Sequence, residues 1–178
     1  KIIFAGDGLF KKEFLQYFDD HGLRERVTYF ERYPSSRELI LASDLTLMTA
    51  RYEGMPNVLM EALALGCPTI ATESGGVAEV LDHGRCGALI PTDDKHHLIK
   101  KLIHLISNKE IRLDYSLKGR SHIENSFSLE KMLENTAEIY SKVQEKKRLL
   151  AWECNFEKCF SDKFGGQVGV KARKKKSS

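Results

Sequence analysis

Short apolar runs alternate along the chain with stretches whose apolar positions recur every three or four residues. The first pattern marks buried strands and the second amphipathic helices. Residues 1–5 read as a buried strand, Gly6-Asp7-Gly8 as a turn, and residues 9–21 as a helix closed by Gly22. Residues 27–30 form the next strand. Pro34-Ser35-Ser36-Arg37-Glu38 has capping-box spacing: Ser35 accepts from the Glu38 amide while the Glu38 carboxylate reaches back. It predicts a short helix ending at Ala42. A strand over 45–48, a loop over 49–55 and a helix over 57–65, stopped by Gly66 ahead of Pro68, follow. Residues 69–71 are a strand, Gly75-Gly76 introduces a short helix through Leu81, and residues 87–90 are the last strand. Thr92 is placed to cap a helix beginning near Asp94. From there to about Lys147 the pattern is helical, with Leu129, Met132, Leu133, Ile139, Tyr140 and Val143 on one apolar face that serves packing. Strands alternating with helices predict an α/β fold, a Rossmann-like parallel sheet flanked by helices.

Composition adds bounds to this picture. With 42% hydrophobic and 30% charged residues, a chain of 178 residues carries enough apolar material for one core. No run approaches the roughly 18 apolar residues of a membrane span, and the opening apolar stretch is too short for a signal peptide. The expected compartment is the cytoplasm, or its membrane face. Cys67, Cys86, Cys154 and Cys159 match neither a zinc ribbon nor a redox pair and read as buried thiols. His96, His97 and His104 sit among apolar residues at helical spacing, without acidic or thiol partners at ligand spacing, so no metal site is expected.

Net charge is +3, yet residues 145–178 hold ten Lys or Arg against four Asp or Glu. Together with Gly165-Gly166 and the terminal Lys174-Lys175-Lys176, this suggests a basic, disordered tail over 148–178 behind a domain spanning 1–147. A single basic cluster without a stacking motif gives no basis for nucleic-acid binding. Contact with an anionic membrane is the other use such lysines have.

The chemistry concentrates in residues 53–72, which run from Glu53-Gly54-Met55-Pro56-Asn57-Val58-Leu59 through Glu61 to the strand after Gly66. A loop after a parallel strand, leading into a helix N-terminus, lies at the carboxyl edge where ligands of open α/β sheets bind. Unpaired amides and the positive end of the helix dipole suit a phosphate there. Glu53 before the helix and Glu61 one turn inside it can then serve only groups other than phosphate, and the hydroxyls of a ribose and a hexose are apt partners. Equally, Glu61 can act merely as a favourable first-turn acid and Glu53 as a solvated loop residue.

This stretch, two glutamates separated by seven residues and followed by Gly-Cys-Pro-Thr-Ile-Ala-Thr, resembles the donor-binding motif of glycosyltransferase family 4, retaining enzymes of the GT-B fold. The likeness extends to Phe4-Ala5-Gly6-Asp7-Gly8, Val27-Thr28-Tyr29-Phe30, Ala42-Ser43-Asp44-Leu45, the run from Glu73 to Val80, and Gly87-Ala88-Leu89-Ile90-Pro91. The resemblance implies that Glu61 binds the ribose hydroxyls and that Glu53 contacts the transferred sugar. It further implies that the backbone of Gly54, Met55, Pro56, Asn57, Val58 and Leu59 holds the distal phosphate and sugar, and that Glu31-Arg32-Tyr33 lies beside the base. The family's first βα unit in this half, with its Arg and Lys clamp on the diphosphate, has no counterpart in these residues, nor has the N-terminal acceptor domain. Without an Asp-x-Asp motif, no metal or other cofactor is expected.

The chain is therefore expected to be the donor-binding half of an enzyme that moves a hexosyl group from a nucleoside diphosphate sugar to a carbohydrate or lipid-linked acceptor with retention. On its own it would be inactive, its missing N-terminal half being supplied in cis or in trans. The other reading is a non-catalytic nucleotide-binding or interaction module derived from such an enzyme.

Overall fold

The computed structural model describes residues 1–164, with side-chain surroundings through residue 148. These divide into two compact units, the first Lys1–Ser128 and the second beginning at Leu129.

In the first unit, strands β1 (Ile2–Ala5) and β2 (Val27–Phe30) pair in parallel, with Ile2 opposite Val27. A second parallel sheet has the order β3 (Thr46–Met48), β4 (Thr69–Thr72), β5 (Ala88–Ile90). The sequence suggests a single sheet, whereas the structure has two, because β1 and β3 do not pair with each other. Written as β2-β1, a gap, then β3-β4-β5, the arrangement is the 3-2-1-4-5-6 order of a doubly wound sheet with the place of its first strand open. Burial agrees. All four residues of β4 are buried, as expected of a strand covered on both faces, whereas Ile2 and Ile3 on β1 and Leu47 on β3 are exposed.

Helix α1 (Lys11–Asp20) packs an aromatic group over the small sheet: Phe4 meets Phe14 edge to face at 4.7 Å, and Phe14 meets Phe18 at 5.0 Å. Helix α3 (Asn57–Ala64) buries Leu59 and Leu63 with Met48, Ala71, Val77 and Val80. It ends at Gly66, whose φ of +73° lets Cys67 N reach Ala62 O at 2.8 Å. Close packing on α6 (Lys109–Ser126) needs Gly119, where a Cβ would come within 2.6 Å of Leu63 Cδ2.

Two expected caps take other forms. Ser35 does precede α2 (Ser36–Leu41), but no capping box closes: the Glu38 carboxylate accepts from Tyr33 Oη at 3.2 Å instead. The cap of α5 (Lys95–Ser107) is Asp94, which accepts from His97 N at 2.9 Å, while the Thr92 hydroxyl donates to Glu73 O. Between Gly76 and α5, α4 (Val77–Val80) follows β4 as a short helix. The continuous helical pattern after residue 94 is in fact three helices. It breaks at Asn108, whose extended backbone ends α5 and starts α6, and again before α7 (Leu129–Phe164).

Helix α7 corrects the reading of residues 148–164 as disordered. Trp152, Phe156, Phe160 and Phe164 recur every four residues, a helical period that the lysine run beyond them outweighed in composition. The apolar positions expected to pack, among them Leu129, Met132, Tyr140 and Val143, are exposed on α7. The terminal cluster Lys174-Lys175-Lys176 and the membrane contact suggested for it lie outside the described residues. No helix among the described residues is long and apolar enough to cross a membrane.

Candidate functional site

Parallel strands leave their carboxyl ends on one side, so the loops after β3, β4 and β5 gather at a common edge. Four bonds tie these loops together. Thr72 Oγ1 donates to Ala50 O at 2.5 Å, Gly76 N to Gly54 O at 2.6 Å, Thr92 Oγ1 to Glu73 O at 3.2 Å, and the Arg51 guanidinium pairs with Asp93 at 2.9 Å. At Gly75, where φ is +52°, a Cβ would stand 1.7 Å from Glu53 O, and at Gly76 one would stand 2.7 Å from Gly54 O. The two glycines thus let the loop after β4 lie backbone to backbone against the loop that carries Glu53.

An open cleft of about 520 Å³ lies at this edge, lined by Arg51, Tyr52, Glu53 and Gly54 from one loop and Glu73, Ser74 and Gly75 from the next. Glu53 enters it beside a second carboxylate, Glu73, and beside the Arg51 cation. Met55, Asn57 and Val58 are exposed around the start of α3, whereas Pro56 is buried as its N-terminal cap residue and Leu59 is fully buried in the core. Leu59 N and Met60 N both donate to Pro56 O, so the amides of Asn57 and Val58 are the ones left facing out of the first turn.

Glu61 does not line the cleft. It stands exposed one turn along α3, where its Oε2 accepts from Ser36 Oγ at 2.6 Å. Arg32 is exposed after β2. Tyr33 is half-buried against Phe30 at 4.9 Å, and its hydrogen bond to Glu38 holds the phenol above its usual range. Glu31, in the same loop, pairs with Lys11 at the start of α1. Three side chains absent from the sequence-based site join it here: Arg51, Ser36 and Glu73. The Arg51–Asp93 and Ser36–Glu61 contacts join residues 42 and 25 positions apart, so no local pattern announces them. Glu73 was legible only as part of the run before Gly75.

Chemically, outward amides at a helix N-terminus receive an anion, and carboxylates before and after that turn accept from hydroxyls. An open α/β domain with such an edge is a nucleotide-binding domain by architecture. Residues 1–122 match the family described as glycosyl transferases group 1, and the chain belongs to that family. Over 140 residues it is 30% identical to N-acetyl-alpha-D-glucosaminyl L-malate synthase of Bacillus anthracis, covering 79% of this chain and 37% of that protein. The amylovoran biosynthesis glycosyltransferase AmsK of Erwinia amylovora is 29% identical over 113 residues, covering 64% of this chain and 28% of its own length. Among solved structures, Anabaena Alr3699/HepE in complex with UDP superposes with a TM-score of 0.73 at 25% identity, over 79% of this chain and 40% of that one. The same protein has been solved with UDP-glucose. The chain thus spans well under half the length of these relatives, which are GT-B glycosyltransferases.

Proposed function

We propose that this chain is the donor-binding half of a retaining family 4 glycosyltransferase that moves a hexosyl group from a nucleoside diphosphate sugar to a carbohydrate or lipid-linked acceptor. One observation carries the reading: the outward amides of Asn57 and Val58 stand between Glu53, at the cleft, and Glu61, a turn further on. A sugar diphosphate presents hydroxyls, phosphates and ribose hydroxyls in that sequence. HepE, crystallised with UDP and with UDP-glucose, gives the comparison its chemistry.

In this mechanism the diphosphate departs as the anomeric carbon gains oxocarbenium character. The α3 amides take up the growing phosphate charge without a metal, helped by basic side chains from the strand position left open between β1 and β3. Glu53 faces the developing positive charge, and the leaving phosphate oxygen receives the acceptor proton on the same face. The acceptor domain comes from polypeptide outside these residues, which matches the 37% and 40% of its relatives that the chain covers. For the same reason the isolated chain is expected to bind without turning over, as a binding module would.

Calorimetry with UDP, GDP and ADP, and with their glucose conjugates, tests the reading. Binding of one nucleoside diphosphate, strengthened or retained with its sugar attached, is the expected result. A folded chain that binds none of them overturns it. Transfer by the chain joined to an acceptor domain separates the enzyme from the module.

A further inference from the structure

We infer that Ser36 is a positioning residue for the ribose-binding carboxylate, holding Glu61 in the orientation that receives a vicinal diol. The inference rests on the donor-site reading above. Its starting point is that Ser36 Oγ donates to Glu61 Oε2 at 2.6 Å, a length typical of a hydroxyl bound to an ionised carboxylate. Ser36 occupies the first position of α2, behind Ser35, whose own side chain caps nothing. A hydroxyl at such a position ordinarily serves its own backbone. Here it crosses to another helix.

The crossing is held in place from beneath. Ile40, one turn after Ser36 and so on the same face of α2, is buried in a cluster with Ala62 and Cys67. Ala62 is the immediate neighbour of Glu61. The buried contact therefore fixes the spacing of the two helices, and the exposed bond above it fixes the carboxylate. Both Ser36 and Glu61 are exposed, so the bond itself adds little to folding. What it does change is the freedom of Glu61, a side chain with three rotors that would otherwise have to be ordered when a nucleotide arrives. One oxygen is held, and Oε1 remains to accept from a ribose hydroxyl.

The test compares UDP with 2′,3′-dideoxy-UDP by calorimetry on wild type, Ser36→Ala, Ser36→Thr and Glu61→Ala. Ser36→Ala should weaken UDP about three- to tenfold, leave dideoxy-UDP unchanged, and leave the melting temperature where it was. Ser36→Thr, which keeps the hydroxyl, should restore most of the affinity. If Ser36→Ala binds UDP like the wild type while Glu61→Ala is impaired, the positioning role falls and the ribose assignment stands. If neither variant is impaired, or the wild type binds no UDP, the donor-site reading fails first and takes this inference with it. Equal losses for UDP and dideoxy-UDP would show that Ser36 acts elsewhere than on the ribose.

Discussion

Gly75 and Glu53 meet backbone to backbone, so closely that a Cβ on Gly75 would lie 1.7 Å from the Glu53 carbonyl oxygen. With φ at +52°, the same residue also occupies a conformation that disfavours side chains. Gly75→Ala must therefore push the Glu53 loop aside, at about 1–3 kcal/mol of stability. Gly54, next to Glu53 in the same loop, has nothing within 4 Å of its Cβ direction, and Gly54→Ala should stay within about 0.5 kcal/mol of the parent. Urea unfolding of the two variants checks the contrast. Equal stabilities would mean that the two loops are not in register.

Glu61→Ala should weaken nucleoside diphosphate binding about ten- to a hundredfold, since a hydrogen bond to a charged group is worth roughly 1.5–3 kcal/mol. The side chain is exposed and makes only the bond to Ser36, so folding should survive. Calorimetric titration decides it. Unchanged affinity in the folded variant would return Glu61 to the role of a helix-dipole acid.

Glu53→Gln should lower turnover more than donor affinity once the chain is joined to an acceptor domain. A carboxylate facing developing positive charge acts mainly in the transition state, so kcat should fall while the donor KM moves little. Glu73, across the cleft, provides an internal comparison: it lines the same space, yet the resemblance gives it no catalytic part. Equal kcat in Glu53→Gln and parent would remove Glu53 from the reacting groups.

Burial pushes the Cys86 thiol up to about 11, and Cys86 is 1% exposed against Leu81 and Val80. An unfolded thiol titrates near ~8.5, so between those values the folded chain binds more protons than the unfolded one. Stability that is fully present below ~8.5 should drain away as pH rises through about 11. Tyr115, also raised by burial, contributes in the same direction. Urea midpoints at pH 8 and pH 10.5, compared between wild type and Cys86→Ala, isolate the thiol: the wild type should lose more over that interval.

The donor loop was legible because its signal is local. A strand, a glycine-containing loop, and a helix opening at Asn57 and closing at Gly66 lie consecutively in sequence, and the structure has them there. The strand at 27–30 was equally plain, four apolar or β-favouring residues behind a charged turn. The split into two sheets was not, since it depends on which strand neighbours which rather than on any one strand. Asn108 divides α5 from α6 through its backbone conformation while the apolar period runs on through it, which is why two helices read as one. Ser36, Arg51 and Asp93 are ordinary polar residues until folding brings their partners to them.

The division at Ser128 predicts that a shortened chain ending there keeps its own cooperative transition. Helix α6 contributes buried Gly119 and Ile123 to the first unit, and Phe127, just past its end, packs on the same core that holds Leu59 and Leu63. Every one of these residues precedes the cut. The apolar positions of α7 that follow, such as Leu133 and Ile139, are exposed, so their removal strips no buried surface that the described residues show. A chain ending at Lys118 is the opposite case. It loses the helix turn that closes over Leu63 and leaves Cys86 and Leu81 without Ile123, at a cost of several kcal/mol of the kind a large core deletion carries. Thermal unfolding of the two shortened chains should give a single transition near the parent's for the first and none for the second. Loss of the transition on cutting at Ser128 would show that α7 belongs to the folding unit.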